Sequence, residues 1–163
     1  MTNIRYLTLS EMLYINGQVL QDEKLLRGEQ QIREIERLDA AVARPAASAF
    51  GADAYPTLRE KAAVLFHSVT RNHPFKDGNK RTATVALLFM LRVNGQRVTW
   101  DPPEALDVIL DVAEGRTDYP RFAGWLPLQA VDTMLNENAE RDMALIADLM
   151  QAHQWLLDEL ATR

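Results

Sequence analysis

Two threonine-led boxes fix where helices must begin, and they constrain the fold of this chain more than its composition does. Thr8-Leu9-Ser10-Glu11 and Thr57-Leu58-Arg59-Glu60 each set a hydroxyl three residues ahead of a glutamate. In that spacing the hydroxyl and the carboxylate satisfy backbone amides that a helix start leaves unpaired. Apolar residues follow at helical intervals. Leu9, Met12, Leu13, Val19 and Leu20 trail the first box, and Ala62, Leu65, Phe66 and Val69 trail the second. A further helix is expected from about Glu29 to Ala43, carrying Ile32, Ile35, Leu38 and Val42 and stopped by Pro45. Lys80 to Val93 repeats the pattern and ends at Asn94-Gly95. Asp101 caps a helix that tolerates Pro102 and Pro103 in its first turn and stops at Gly115. Residues 121–128 read as a short helix or turn, and 129–161 as helical again. Residues 45–56 form a loop or short extended flap, and 97–100 are extended. Three strong strands do not occur, so the expected fold class is all-α.

The chain has 163 residues and no cysteine. That length suits one domain with a real core, and the lack of thiols fits a reducing cytoplasm. A net charge of −5 disfavours a nonspecific nucleic-acid binder. No signal peptide and no run of membrane-spanning length is visible, so neither nucleic acid nor membrane is an expected partner.

The chemistry concentrates in His73-Pro74-Phe75-Lys76-Asp77-Gly78-Asn79-Lys80-Arg81-Thr82-Ala83. His73 is both basic and largely neutral near pH 7, as a general base must be. Pro74 stops the preceding helix, and Phe75 is expected to anchor the loop in the core. Asp77 offers a hard oxygen ligand for Mg²⁺ carried by nucleotide phosphates. Gly78 permits positive φ or close backbone approach. Asn79 either caps the following helix or binds a phosphate oxygen. Lys80 and Arg81 stand at a helix N-terminus, where the dipole disfavours each cation by about 0.3–1 kcal/mol. An anionic ligand removes that conflict, and a helix start is a natural place for one. Taken singly these residues have ordinary explanations: an exposed histidine, a helix-start turn, a solvated charged face. Together in one loop they point to a nucleotide-phosphate site.

At these residues the chain resembles the Fic/Doc family, whose signature is close to H-P-F-x-[D/E]-G-N-[G/K]-R. Tyr55 to Ala63 before the loop and Arg92-Val93-Asn94-Gly95 after it resemble the death-on-curing (Doc) branch, and the resemblance covers roughly residues 5–127. It implies a compact bundle of about six helices with the motif loop at its centre and a short flap beside it. Residues 1–127 would form this catalytic domain, with 128–163 a helical extension packed on it. Family members transfer a nucleotide-derived group to a protein hydroxyl. Most transfer AMP and carry Gly-Asn-Gly-Arg, whereas this chain has Gly78-Asn79-Lys80-Arg81, as Doc does. The Doc branch implies a toxin that phosphorylates elongation factor Tu from ATP and Mg²⁺, arresting translation in a toxin–antitoxin setting. His73 would be the base and Asp77 the metal ligand. Phe75, Gly78, Asn79, Lys80 and Arg81 would lie at the nucleotide, and Arg71 would contact phosphate or orient the target. Thr84 stands where adenylylating relatives carry a second arginine, which weighs against AMP transfer.

Residues 133–138 resemble the [S/T]-x-x-x-E-[G/N] segment of inhibitory Fic helices, with Glu137 as the blocking carboxylate. Leu145, Leu149, Trp155 and Leu156 suit either packing on the bundle or a homodimer seam, and the extension could instead fill the groove where Doc toxins receive an antitoxin. His67 and His153 have no metal-site spacing. Three functions remain open at this level: a Doc-like kinase, an AMP transferase, and a non-catalytic nucleotide- or partner-binding regulator.

Overall fold

The computed structural model describes residues 3–20, 31–131 and 134–163. Its central element is α4 (Asn79–Val93), buried at Thr82 to Leu91 and again at Val93. A helix apolar on all sides must be enclosed, and the neighbours of α4 do this. α1 (Leu9–Val19) and α3 (Leu58–Asn72) pack on it from within the N-terminal half. α7 (Ala139–Ala152) and α8 (Gln154–Ala161) pack on it from the C-terminal end. α2 (Ile35–Ala43) leans on α3 and α1. α5 (Pro102–Ala113) and α6 (Tyr119–Trp125) also lie against α3, where Phe66 and Phe122 stack with ring centres 4.6 Å apart. Among the described residues the fold is all-α apart from two short two-stranded antiparallel pairings, and no helix there is long and apolar enough to cross a membrane.

Local signals account for the helix starts. Thr8 makes both arms of its capping box, and Thr57 and Asp101 accept the amides of Glu60 and Glu104. Asp118 and Asn138 cap α6 and α7 in the same way. The flap is a hairpin, β1 (Ser48–Ala49) against β2 (Ala52–Asp53), with Phe50 fully exposed at its tip. Lys61, only 1% exposed, holds the base of this hairpin by donating to Pro45 O and to Asp53 Oδ2, each at 3.1 Å. Burial alone would lower its pKa, but bonds to Tyr6 and Asp53 outweigh that and leave it raised.

Two expectations are corrected. The helix expected from about Glu29 starts at Ile35 (Glu29 itself lies outside the described residues). Residues 31–34 stay out of the helix because their backbone pairs with the motif loop. Ile32 bridges Phe75, Lys76 N donates to Gln31 O, and Arg33 N and Glu34 N both donate to Pro74 O. The helix expected over 129–161 starts only at Ala139 and is broken once. Residues Leu128–Ala130 form β4, antiparallel to β3 (Gln96–Val98), and a break at His153 separates α7 from α8. Strand pairing across 30 to 34 positions satisfies the 128–130 backbone where an isolated helix would otherwise do so.

The N-terminal segment is tied to α7 by one side chain. Arg5 Nη2 meets Glu11 Oε2 at 2.6 Å and Asp142 Oδ2 at 2.7 Å, and Nη1 donates to Leu135 O. Asn94 completes the clasp by accepting from Arg5 N and donating to Arg5 O.

Candidate active site

The motif loop runs between α3 and α4, and both of its ends use left-handed backbone. His73 closes α3 at φ 48°, ψ 58°. Proline at position 74 disfavours the right-handed helical region at its predecessor, and α3 stops there. At the other end Gly78 has φ 74°. A Cβ at Gly78 would also sit 3.2 Å from Leu20 Cδ2 and from Val19 Cγ1. Glycine is required there by both torsion and space.

Between these ends the loop is locked from beneath. Phe75 is fully buried, and the Asn79 amide grips it twice, accepting from Phe75 N and donating to Phe75 O at 3.0 Å each. Asn79 is therefore not the cap of α4. It is the first residue of that helix, and no side chain caps this N-terminus. Asn16, completely buried on α1, donates to Asp77 O and to Thr82 Oγ1, and accepts from Gln31 Nε2 at 2.9 Å. Sequence reasoning missed Asn16. The available signal was a polar residue set in the apolar stripe of Met12, Ile15 and Val19. Asn16→Leu strands several buried partners at once, so about 2 kcal/mol of stability should be lost. Urea unfolding would measure it.

Above the locked loop lies a pocket of about 240 Å³. Its motif wall carries His73, Lys76, Asp77, Lys80 and Arg81, with Gly78 and Asn79 between them. Arg33 and the end of α8 complete it. Among the described residues, Asp77 is the one carboxylate side chain lining this pocket, beside five cationic residues, Arg33, Lys76, Lys80, Arg81 and Arg163. Its Oδ1 accepts the Gly78 amide at 2.8 Å. Arg81 Nη1 reaches Val19 O at 3.3 Å, and Lys80 Nζ donates to Arg163 O at 2.9 Å. In a chain with net charge −5, this concentration of positive charge is local.

The His73 imidazole is exposed at the pocket's edge. Partial burial lowers its pKa, and the charges of Arg33, Lys80, Arg71 and Arg37 lower it further. It is therefore held neutral and able to accept a proton.

Not every predicted site residue is in the pocket. Arg71 donates to Ala113 O at 2.8 Å, at the end of α5, and reaches His73 only through its charge. Phe75 anchors the loop instead of lining the pocket. Thr84 is buried and bonds Lys80 O, so that position presents nothing to a phosphate. Glu137 lines a separate groove with Thr8, Tyr14 and Met143 and is not among the residues lining the motif pocket. Thr133 of the same segment lies outside the described residues. Leu156 is buried and Leu145 and Leu149 pack on the core, leaving Trp155 exposed.

A family model described as Fic/DOC matches residues 6–91, from the first turn before α1 almost to the end of α4. The chain is 45% identical over 101 residues to Toxin Doc of Mycolicibacterium smegmatis, a span of 61% of this chain and 78% of that protein. It is 38% identical over 69 residues to Protein kinase doc of Escherichia phage P1, spanning 42% of this chain and 54% of that one.

Proposed function

This chain belongs to the Fic/DOC family, and we propose that it is a Doc-like toxin that moves the γ-phosphoryl group of ATP to a hydroxyl of a cytoplasmic protein, with elongation factor Tu as the target. The observation that carries this reading is the pocket in which a neutral His73 and one carboxylate, Asp77, face the cations of the α4 N-terminus. Phosphoryl transfer needs positioning and charge stabilisation more than covalent chemistry, and these residues are suited to both. The target hydroxyl gives its proton to a ring nitrogen of His73. Its oxygen bonds to the γ-phosphorus as the bond to the β–γ bridging oxygen breaks, and ADP carries that electron pair away. Lys80 and Arg81 hold the phosphate oxygens. Asp77 is the residue that would hold Mg²⁺, whose charge neutralises phosphate oxygens when bound. The names of the two relatives, a toxin and a protein kinase, support the same reading. An antitoxin that restrains the enzyme follows from it as a partner.

Two features favour γ- over α-phosphoryl chemistry. Lys80 stands in the pocket, and the buried Thr84 leaves no second arginine to grip a γ-phosphate in the adenylylating orientation. The test is label transfer to elongation factor Tu from ATP labelled at the α or the γ position. Label from γ alone is expected. Label from α would replace the reading with AMP transfer. No label from a protein that still binds ATP would leave a regulator.

The pH dependence follows from His73. Its folded pKa is lowered from 6.5, so the neutral base persists below that value. The acid limb of kcat/KM should accordingly fall at a pH under 6.5. A limb centred above 6.5 would assign it to another group.

A further inference from the structure

One wall of the phosphate pocket comes from outside the motif. Leu160 and Ala161, at the end of α8, and Arg163, just past it, line the pocket along with the loop. These residues lie beyond the span matched by the family model. α8 is well seated: Leu156, Leu157 and Leu160 are buried, and the helix packs on both α5 and α4. Its last turn therefore stands at a fixed place relative to the α4 N-terminus. Two features of that turn bear on an anion. The Arg163 main-chain oxygen accepts from Lys80 Nζ at 2.9 Å, which draws the lysine ammonium to the pocket. Arg163 is itself a lining residue, so its guanidinium is a cation within reach of the cavity.

We propose that the end of α8 completes the phosphate site, with Arg163 as a further nucleotide-binding residue that grips the polyphosphate together with Lys80 and Arg81. This rests on the reading of the pocket as an ATP site. A lysine ammonium has three donors, so the bond to Arg163 O leaves two for phosphate oxygens. The guanidinium has five, of which Nη2 spends one on Glu159 Oε1 at 2.9 Å. Glu159 is thus a competitor: it partly neutralises the cation the phosphate would use. The gain is greatest for a chain of phosphates long enough to reach from the motif wall to α8, so ATP should benefit more than AMP.

The opposed roles of Arg163 and Glu159 give a test that a merely structural helix would not pass. Affinities of the full-length protein for ATP, ADP and AMP would be measured by calorimetry with Mg²⁺, for wild type, Arg163→Ala, Glu159→Gln and Arg81→Ala. Both α8 positions lie at the surface, and thermal melts would establish that the variants fold. Arg163→Ala should weaken ATP binding by about fivefold and AMP binding by less. Glu159→Gln should tighten ATP binding by about twofold. If Arg81→Ala weakens ATP binding while both α8 variants bind like wild type, the α8 wall is overturned and the ATP reading stands. If wild type binds no nucleotide, both fall.

Discussion

His73→Ala is expected to lower the transfer rate by about 10³-fold while nucleotide affinity stays within about twofold. That loss corresponds to about 4 kcal/mol of barrier, a size that removal of a positioned general base produces. The substitution should be mild structurally. His73 is exposed, its ring lies at the pocket's edge, and Arg33 N and Glu34 N fasten the loop through Pro74 O instead. The cations that would bind phosphate are untouched. Single-turnover transfer and calorimetric ATP binding, run on the same preparation, separate the two quantities. A variant that loses affinity and rate in equal proportion would make His73 a binding residue and would leave the base unassigned.

Arg5→Met is expected to cost about 3 kcal/mol of folding free energy. The guanidinium stands between Glu11 and Asp142, with the three side chains between 9% and 19% exposed. Removing the cation leaves two carboxylates close together with little water to screen them, which is worse than having neither. It also removes the donor to Leu135 O. A pH series distinguishes this cause from lost packing. Burial tends to raise the Asp142 pKa, but the Arg5 hydrogen bonds, the Asn138 amide and the charge of Arg5 more than offset it, so the net shift is downward. A depressed carboxylate contributes stability that is complete above its unfolded value and is lost as pH falls through the folded value. In wild type this contribution should disappear only at strongly acidic pH. In Arg5→Met the variant should regain stability relative to wild type as acid protonates Asp142. A deficit unchanged between neutral and acid conditions would assign the loss to packing alone.

The sequence made legible what is decided within a few residues. Thr8, Thr57 and Asp101 cap helices because their partners lie three positions away. The motif was legible because its base, carboxylate, glycine and cations are contiguous. What escaped was set by partners far along the chain. Ile32 and Arg33 fall on a helical pattern, yet their backbone is taken by Phe75 and Pro74 some 40 positions on. Leu128 to Ala130 look helical until Gln96 to Val98 supply a strand to pair with. Asn79 had two plausible local uses and adopted a third, gripping Phe75. Arg163 sits 82 positions beyond Arg81, and no periodicity links them; only the packing of α8 on α4 and α5 brings the two to one cavity.

The Arg5 clasp joins positions 137 residues apart. Contacts of such separation form late, because the intervening chain must first be ordered. An interaction absent from the transition state leaves the folding rate nearly unchanged and acts on unfolding. The clasp therefore governs how long a molecule stays folded and not how soon it gets there. In stopped-flow experiments Arg5→Met should raise the unfolding limb and leave the refolding limb in place.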